Sequence, residues 1–199
     1  MTTPAPGPPP GPLVTPPAPL RTARLLLRQA EARDRDGFIA LFSSAEVYAH
    51  LGGARPREEL ERVVPRVPGR RAGVFVIERD GELIGTVELK RRGPGRPGHV
   101  RPGGGEVELG YLLLPEAWGH GYAAEACGAV LRWVARVLPG EPVVLCTQTA
   151  NLRSLRLAAR LGFREVARFE EWGAEQWFGV WDPVAGSPPD GAADADRSD

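Results

Sequence analysis

Between Glu106 and Leu138 an increasingly apolar run meets Pro115, passes two glycines and enters the longest helical repeat in the chain. Glu106–Leu114 alternates and then turns wholly apolar, as a central strand does, and Pro115 ends it. From Gly119 to Leu138, residues Ala123, Cys127, Val130, Val134 and Val137 share one broad face, the pattern of a helix packed on a sheet. A strand running through a glycine turn directly into a helix leaves backbone N–H groups free at the helix start. Gly119 and Gly121 let a ligand approach them closely, which suits a diphosphate. No Gly-Lys-Ser/Thr follows, so the turn is not a P-loop, and the third glycine of a dinucleotide fingerprint is missing. Two glycines before a helix also serve as a plain tight turn.

The flanking pattern is of mixed type. Leu20–Gln29, with Leu25-Leu26-Leu27 between arginines, reads as a first strand. Asp34–Ser43 places Phe38, Leu41 and Phe42 at helical spacing, and Pro56 followed by Glu58 and Glu59 starts a second helix. Val74–Ile77 and Leu83–Leu89 read as a hairpin across Asp80-Gly81. Lys90–Gly105, rich in Gly, Pro and Arg, reads as a mobile loop. Val143–Thr147 is a short buried strand. Asn151 caps a helix that ends near Leu161 with Gly162 behind it. Phe163–Glu171 and Gln176–Trp181 close the chain as an antiparallel pair. Strands at both ends around a strand–helix–strand–helix centre make an α+β layer.

Both ends depart from this pattern. Residues 1–19 carry nine prolines, and residues 183–199 are rich in Gly, Ala, Pro and Asp. Neither has apolar periodicity to bury, so both read as disordered tails around a folded unit at 20–182. The formal net charge is zero, which offers no global field to nucleic acid or an anionic membrane. There is no apolar run of about 18 residues and no basic segment leading into an apolar core, so a cytoplasmic protein without a membrane span is expected. Cys127 and Cys146 read as reduced thiols, and no Cys/His/carboxylate cluster has zinc spacing.

The stretch from Glu108 to Glu125 resembles motif A of the GNAT superfamily of N-acetyltransferases, in its RimJ/RimL-like subgroup of ribosomal-protein alanine acetyltransferases. Three neighbours match in order: Leu20-Arg-Thr-Ala-Arg24-Leu-Leu-Leu27-Arg28, Leu83-Ile84-Gly85-Thr86-Val87, and Asn151-Leu-Arg-Ser154 running to Leu161-Gly162-Phe163. The match covers Leu20 to Trp181. It implies a mixed, mostly antiparallel sheet of about seven strands with about four helices, whose central strands splay to hold acetyl-CoA. Backbone around Leu112, Leu113 and Leu114 would then pair with pantetheine. The amides of Gly119, His120, Gly121, Tyr122 and Ala123, beside Trp118, would take the pyrophosphate. Asn151 and Ser154 would lie near the thioester.

This chain departs from the family pattern at three places. Glu116 stands where Gln or Arg is frequent, and His120 stands between the glycines where Lys or Arg is usual. Ala158 occupies the position of the tyrosine that many members use as general acid, which leaves Ser154 as the polar group nearby. For the base, Glu106 and Glu108 lie two apart on one strand face, and a carboxylate there could take the proton of an ammonium acceptor. Glu108 matches the subgroup's glutamate and ranks first. Arg153, Arg156 and Arg160 share one side of a helix, as a solvated face or as contacts for the cofactor's 3′-phosphate. Tyr48, His50 and Gly52-Gly53 fall where the fold places its acceptor side. The reading is direct acetyl transfer from acetyl-CoA to a primary amine, without a metal, by a monomer or homodimer. The amine belongs to a protein N-terminus, an amino acid or polyamine, or an aminoglycoside, and the subgroup favours the first. The alternative is a non-catalytic acyl-CoA-binding module on the same fold.

Overall fold

The computed structural model describes Leu13 and residues 18–183; the remainder of both expected tails lies outside the described residues. Eight strands form one sheet in the order β1-β2-β3-β4-β5-β6-β8-β7. The extra strand arises because the first extended segment folds back on itself. Leu20–Arg21 (β1) and Leu26–Arg28 (β2) pair antiparallel around a turn in which the Thr22 hydroxyl accepts the Leu25 N–H. Val74–Arg79 (β3) and Glu82–Arg91 (β4) form the expected hairpin. Its two loop residues, Asp80 and Gly81, both have positive φ (52° and 89°), as a type I′ turn needs.

Four α-helices complete the fold: Arg35–Ser43 (α1), Arg57–Val63 (α2), Tyr122–Val137 (α3) and Leu152–Arg160 (α4). α3 lays Ala126, Cys127, Val130, Trp133 and Val134 onto Phe75, Val87, Leu89 and Leu109 of the sheet, where Phe75 meets Trp133 edge-on with centroids 5.6 Å apart. Each such large apolar side chain contributes about 1.5–3 kcal/mol on burial. α4 begins as its sequence requires: the Asn151 side chain accepts the Ser154 N–H, and Gly162, at φ 84°, receives the chain beyond the other end.

The centre of the sheet sets up the site. Val107–Leu113 (β5) and Val143–Gln148 (β6) are its one parallel pair. Their register holds only at Val107↔Val143 and Glu108↔Val144, and beyond it the two strands diverge. β5 stays paired along its whole length with β4, and β6 with Ala174–Trp181 (β8), which sits between β6 and Arg164–Glu171 (β7).

The segment after β4 is not the loose loop its composition suggests. Lys90 and Arg91 belong to β4, and residues 92–105 fold around two charged side chains. Arg92, fully buried, donates to the carbonyls of Gly98 and Pro97 and to Glu108. Glu106, 0% exposed, accepts the N–H groups of Val100 and Arg101 and contacts His99 Nδ1 at 2.9 Å. Glu141 binds Arg91 and Arg101 at the rim.

Candidate active site

Ladder geometry decides which backbone groups face the gap between β5 and β6. The Leu114 N–H donates to Ile84 O at 3.0 Å and the Arg92 N–H to Glu106 O at 2.9 Å. Even-numbered residues of β5 therefore point to β4, and by alternation Leu109, Tyr111 and Leu113 point into the gap. This corrects the expectation for Leu112 and Leu114: their amides are spent on β4, and Leu114 does not line the cavity. The Leu113 carbonyl is already taken by Trp118 Nε1 at 2.8 Å. On β6, Thr149 bonds β8, which leaves Cys146 and Gln148 facing the gap. A cavity of about 1820 Å3 occupies this space. It is lined by both strand edges, the glycine turn, α4 and the segment that follows α1.

The glycine turn is held from behind. Gly119 and Gly121 have φ of 81° and 79°; a Cβ on Gly119 would meet nothing within 4 Å, and one on Gly121 only the Arg24 guanidinium at 3.6 Å. Glu125, in the first turn of α3, accepts the Thr22 hydroxyl (2.6 Å), the Arg24 N–H (2.9 Å) and Arg24 Nε (2.7 Å). Burial alone would raise this carboxyl, but Thr22 and Arg24 hold it below the ordinary value. Arg24 also donates to the His120 carbonyl at 3.1 Å and lies over the Tyr122 ring at 4.7 Å. The β1–β2 turn thus fixes the backbone of the glycine turn. The imidazole of His120 stacks on Tyr122 instead of lining the cavity, so His120 does not replace the family's cation there. Gly119, Gly121, Tyr122, Ala123 and Trp118 do line it.

At the open end of the gap runs a hydrogen-bonded chain. His50 Nδ1 meets Gln148 Oε1 at 3.2 Å, and the Gln148 carbonyl accepts the Asn151 N–H. Asn151 Oδ1 accepts the Ser154 N–H, and Ser154 Oγ lies 2.7 Å from the Tyr111 hydroxyl. Every member lines the cavity. Burial pushes the Tyr111 hydroxyl up to about 12 against the opposing effect of Ser154. Cys127 lies outside this chain, its thiol raised to about 12 by burial alone.

The two carboxylates expected to compete as base separate cleanly. Glu106 does not reach the cavity. Burial pushes its carboxyl up, but His99 and the backbone N–H groups of Val100 and Arg101 hold it below the ordinary value, and it anchors the 92–105 segment. Glu108 does line the cavity, yet three cations surround it: Arg92 at 3.0 Å, Arg96 at 3.4 Å and Lys90 at 3.7 Å. Tyr111 and Arg92 escaped the sequence reading. Tyr111 sits within the Glu-Leu-Gly-Tyr run and could have been found from strand parity, whereas nothing in a Gly/Pro/Arg-rich stretch marks one arginine as buried.

A strand pair splayed beside a glycine turn and a helix matches a known domain. The acetyltransferase (GNAT) domain family matches residues 24–164. The chain belongs to the GNAT acetyltransferase family. Its enzyme class is that of acetyl-CoA-dependent N-acetyltransferases. An uncharacterized N-acetyltransferase of Bacillus subtilis (strain 168), YoaA, is 29% identical over 155 residues, covering 73% of this chain and 82% of that protein. A spermidine N-acetyltransferase from Vibrio cholerae, solved with CoA and spermine, superposes with a TM-score of 0.63 at 20% identity, over 82% of this chain and 98% of that one. RimL, a ribosomal L7/L12 alpha-N-protein acetyltransferase, gives 0.62 at 16% identity, over 82% and 93%. At that identity RimL shares the fold, and the RimJ/RimL-like subgroup is not established by it. Among the described residues no His/Cys/Asp/Glu group could hold a metal ion, and no helix is long and apolar enough to cross a membrane.

Proposed function

We propose that this acetyltransferase transfers the acetyl group of acetyl-CoA to the N-terminal amine of a protein or peptide, as the RimJ/RimL-like motifs imply. The observation that carries the choice of acceptor is the charge of the cavity wall. Among the described residues it presents three carboxylates, Glu46, Glu88 and Glu108, against Lys90 and six arginines. Glu88 is paired with Arg71, and Glu108 with Arg92, Arg96 and Lys90. A polyamine or an aminoglycoside needs several free carboxylates to offset its charges as it leaves water. A single terminal amine on an otherwise neutral or acidic chain does not.

The residues fit acetyl-CoA as donor. The gap-facing amides of Tyr111 and Leu113 would pair with pantetheine, and the N–H groups from Gly119 to Ala123 with the pyrophosphate at the start of α3. Arg153, stacked on Trp118 at 4.5 Å, and Arg156 add positive charge on the same wall. Ser154, held by Asn151 and Tyr111, would face the sulfur and stabilise the departing thiolate. The test is thiol release from acetyl-CoA with alanyl and seryl peptides, spermidine and an aminoglycoside, at equal concentration. Peptides are expected to be turned over and the polycations not. A kcat/KM for spermidine equal to or above that for the peptides refutes the choice.

A further inference from the structure

The mechanism so far lacks a base. Glu106 is outside the cavity and the oxygens of Glu108 are engaged by Arg92, Arg96 and Lys90. We infer that His50 is the general base, taking the proton of the acceptor ammonium directly on Nε2. This rests on the acetyl-transfer reading, whichever amine is the acceptor.

Three observations meet at this residue. His50 lines the cavity from the segment after α1, on the acceptor side, and is half-buried. Its Nδ1 faces Gln148 Oε1, an atom that can only accept, so the proton of the neutral ring sits on Nδ1 and the lone pair on Nε2. Nε2 makes no hydrogen bond among the described residues. Gln148 then does for His50 what the carboxylate does in a hydrolase triad, fixing the tautomer and the ring. Gln148 is also the first link of the chain through Asn151 to Ser154 and Tyr111. Base and hydroxyl pair therefore stand at the two ends of one hydrogen-bonded chain around the gap.

The neighbouring titratable groups leave this role open. On its own segment these are Glu46, which accepts from Ser44, Tyr48, whose hydroxyl burial pushes up, and Arg55, which pairs with Glu59. Across the cavity, β6 contributes Cys146 and α4 contributes Arg153, Arg156 and Arg160, while Glu88 of β4 is paired with Arg71 and the Glu108 cluster lies on β4, β5 and the segment beyond β4. None is hydrogen-bonded to His50. In the step, Nε2 takes one proton from the ammonium, and the freed nitrogen lone pair forms the N–C bond at the thioester carbonyl. Collapse breaks the C–S bond, its electron pair leaves on sulfur, and the second nitrogen proton goes to the thiolate. His50 then returns its proton to solvent.

The first arm of the test needs no acceptor. S-bromoacetyl-CoA carries an electrophilic carbon in place of the acetyl methyl. Nε2 displaces bromide, and after thioester cleavage a carboxymethyl group remains on His50, read by peptide mass spectrometry. Labelling of His50 that excess CoA suppresses is expected; labelling only at Cys146, or none at His50, overturns the assignment. In the second arm His50→Gln should lower kcat/KM about 100-fold for any amine that wild type uses. It should also remove the acid limb of the kcat/KM–pH profile, with acetyl-CoA affinity unchanged within twofold. A retained limb at near-wild-type rate overturns it as well. If no peptide is turned over while His50 is labelled, the acceptor reading fails and the base stands.

Discussion

The hydroxyls of Tyr111 on β5 and Ser154 on α4 lie 2.7 Å apart at the open end of the gap, in a chain that has Ala158 where many family members have an acidic tyrosine. Tyr111 comes from a different element, yet its oxygen reaches the same end of the gap. Because burial pushes its hydroxyl up to about 12, Tyr111 stays protonated and can donate to Ser154 Oγ, which frees the serine proton for the sulfur. Ser154→Ala should cut kcat about 100-fold, within the range of a lost hydrogen-bond donor to developing charge. Tyr111→Phe should cut it about tenfold. Both should leave acetyl-CoA affinity within twofold by calorimetry. An unchanged kcat in Tyr111→Phe would detach this pair from the leaving group.

Glu108 and Arg92 make a second testable pair. Removing one partner of a buried ion pair leaves the other charge without compensation, at a cost of about 3–5 kcal/mol. Arg92 is fully buried, so Glu108→Ala should fall in that range by denaturant unfolding. The double change Glu108→Leu with Arg92→Met should recover much of the loss, because no charge is then stranded. Additive losses would mean that the two side chains contribute independently. Activity measured in Glu108→Ala has to be compared at equal folded fraction, since instability alone lowers it.

Glu106 gives the fold a pH dependence of known sign. Its folded carboxyl is held below the ordinary value near 4.5, so its stabilisation is fully present above that value. It is lost as pH falls from there through the lower folded value. Glu106→Gln removes the charge and keeps the shape. Charge-assisted hydrogen bonds contribute about 1.5–3 kcal/mol each. The variant should therefore melt several degrees below wild type at pH 7, and the gap should narrow as pH falls below 4.5. A gap that stays constant over that range would show that the three hydrogen bonds do not depend on the charge.

How far the sequence carried depended on how local the physics was. The Asp80-Gly81 turn, the Asn151 cap and the Gly162 stop were legible because each is a short-range backbone requirement met by a residue type. The glycine turn was legible for the same reason, and the resemblance supplied the splay that no single strand reveals. What failed was long-range. Glu106 and Glu108 lie two apart, just before and just inside the start of β5. Which one sees the cavity is decided by a 14-residue segment folding over Glu106, a contact that depends on His99, Val100 and Arg101. His120 was assigned by its place between the glycines, but a stack on Tyr122 claimed its ring. Glu125 is held by Thr22 and Arg24, about a hundred residues earlier, a pairing that no local pattern announces.

Leu13 bears on the reading of residues 1–19 as a disordered tail. It packs against the main core, and a Cβ on Gly73 would stand 3.2 Å from its Cδ1. A chain beginning at Leu20 should lose about 1 kcal/mol of apolar burial and melt roughly 2–4 °C lower by calorimetry. Removal of residues 1–12, or of everything after Pro183, should leave the melting temperature unchanged. Equal melting of the chains beginning at Leu13 and Leu20 would show that the Leu13 contact contributes nothing.

Gly121 separates backbone strain from cofactor electrostatics. It caps α3 in the left-handed region at φ 79°, and a Cβ there has room, with only the Arg24 guanidinium at 3.6 Å. Gly121→Ala should therefore cost about 1–2 kcal/mol of stability through φ alone and leave the N–H groups of the turn in place. Gly140→Ala, at φ 76° with open space around it and far along the chain from the turn, should cost a similar amount and calibrates the strain. Gly121→Glu adds a carboxylate where the pyrophosphate is proposed to sit. Its acetyl-CoA dissociation constant should rise at least tenfold, about 1.4 kcal/mol, beyond any change in Gly121→Ala. Raising ionic strength should narrow that difference, because charge repulsion is screened and strain is not. If Gly121→Glu binds acetyl-CoA as tightly as Gly121→Ala at low salt, the pyrophosphate does not lie on this turn, and the cationic wall of α4 becomes its seat.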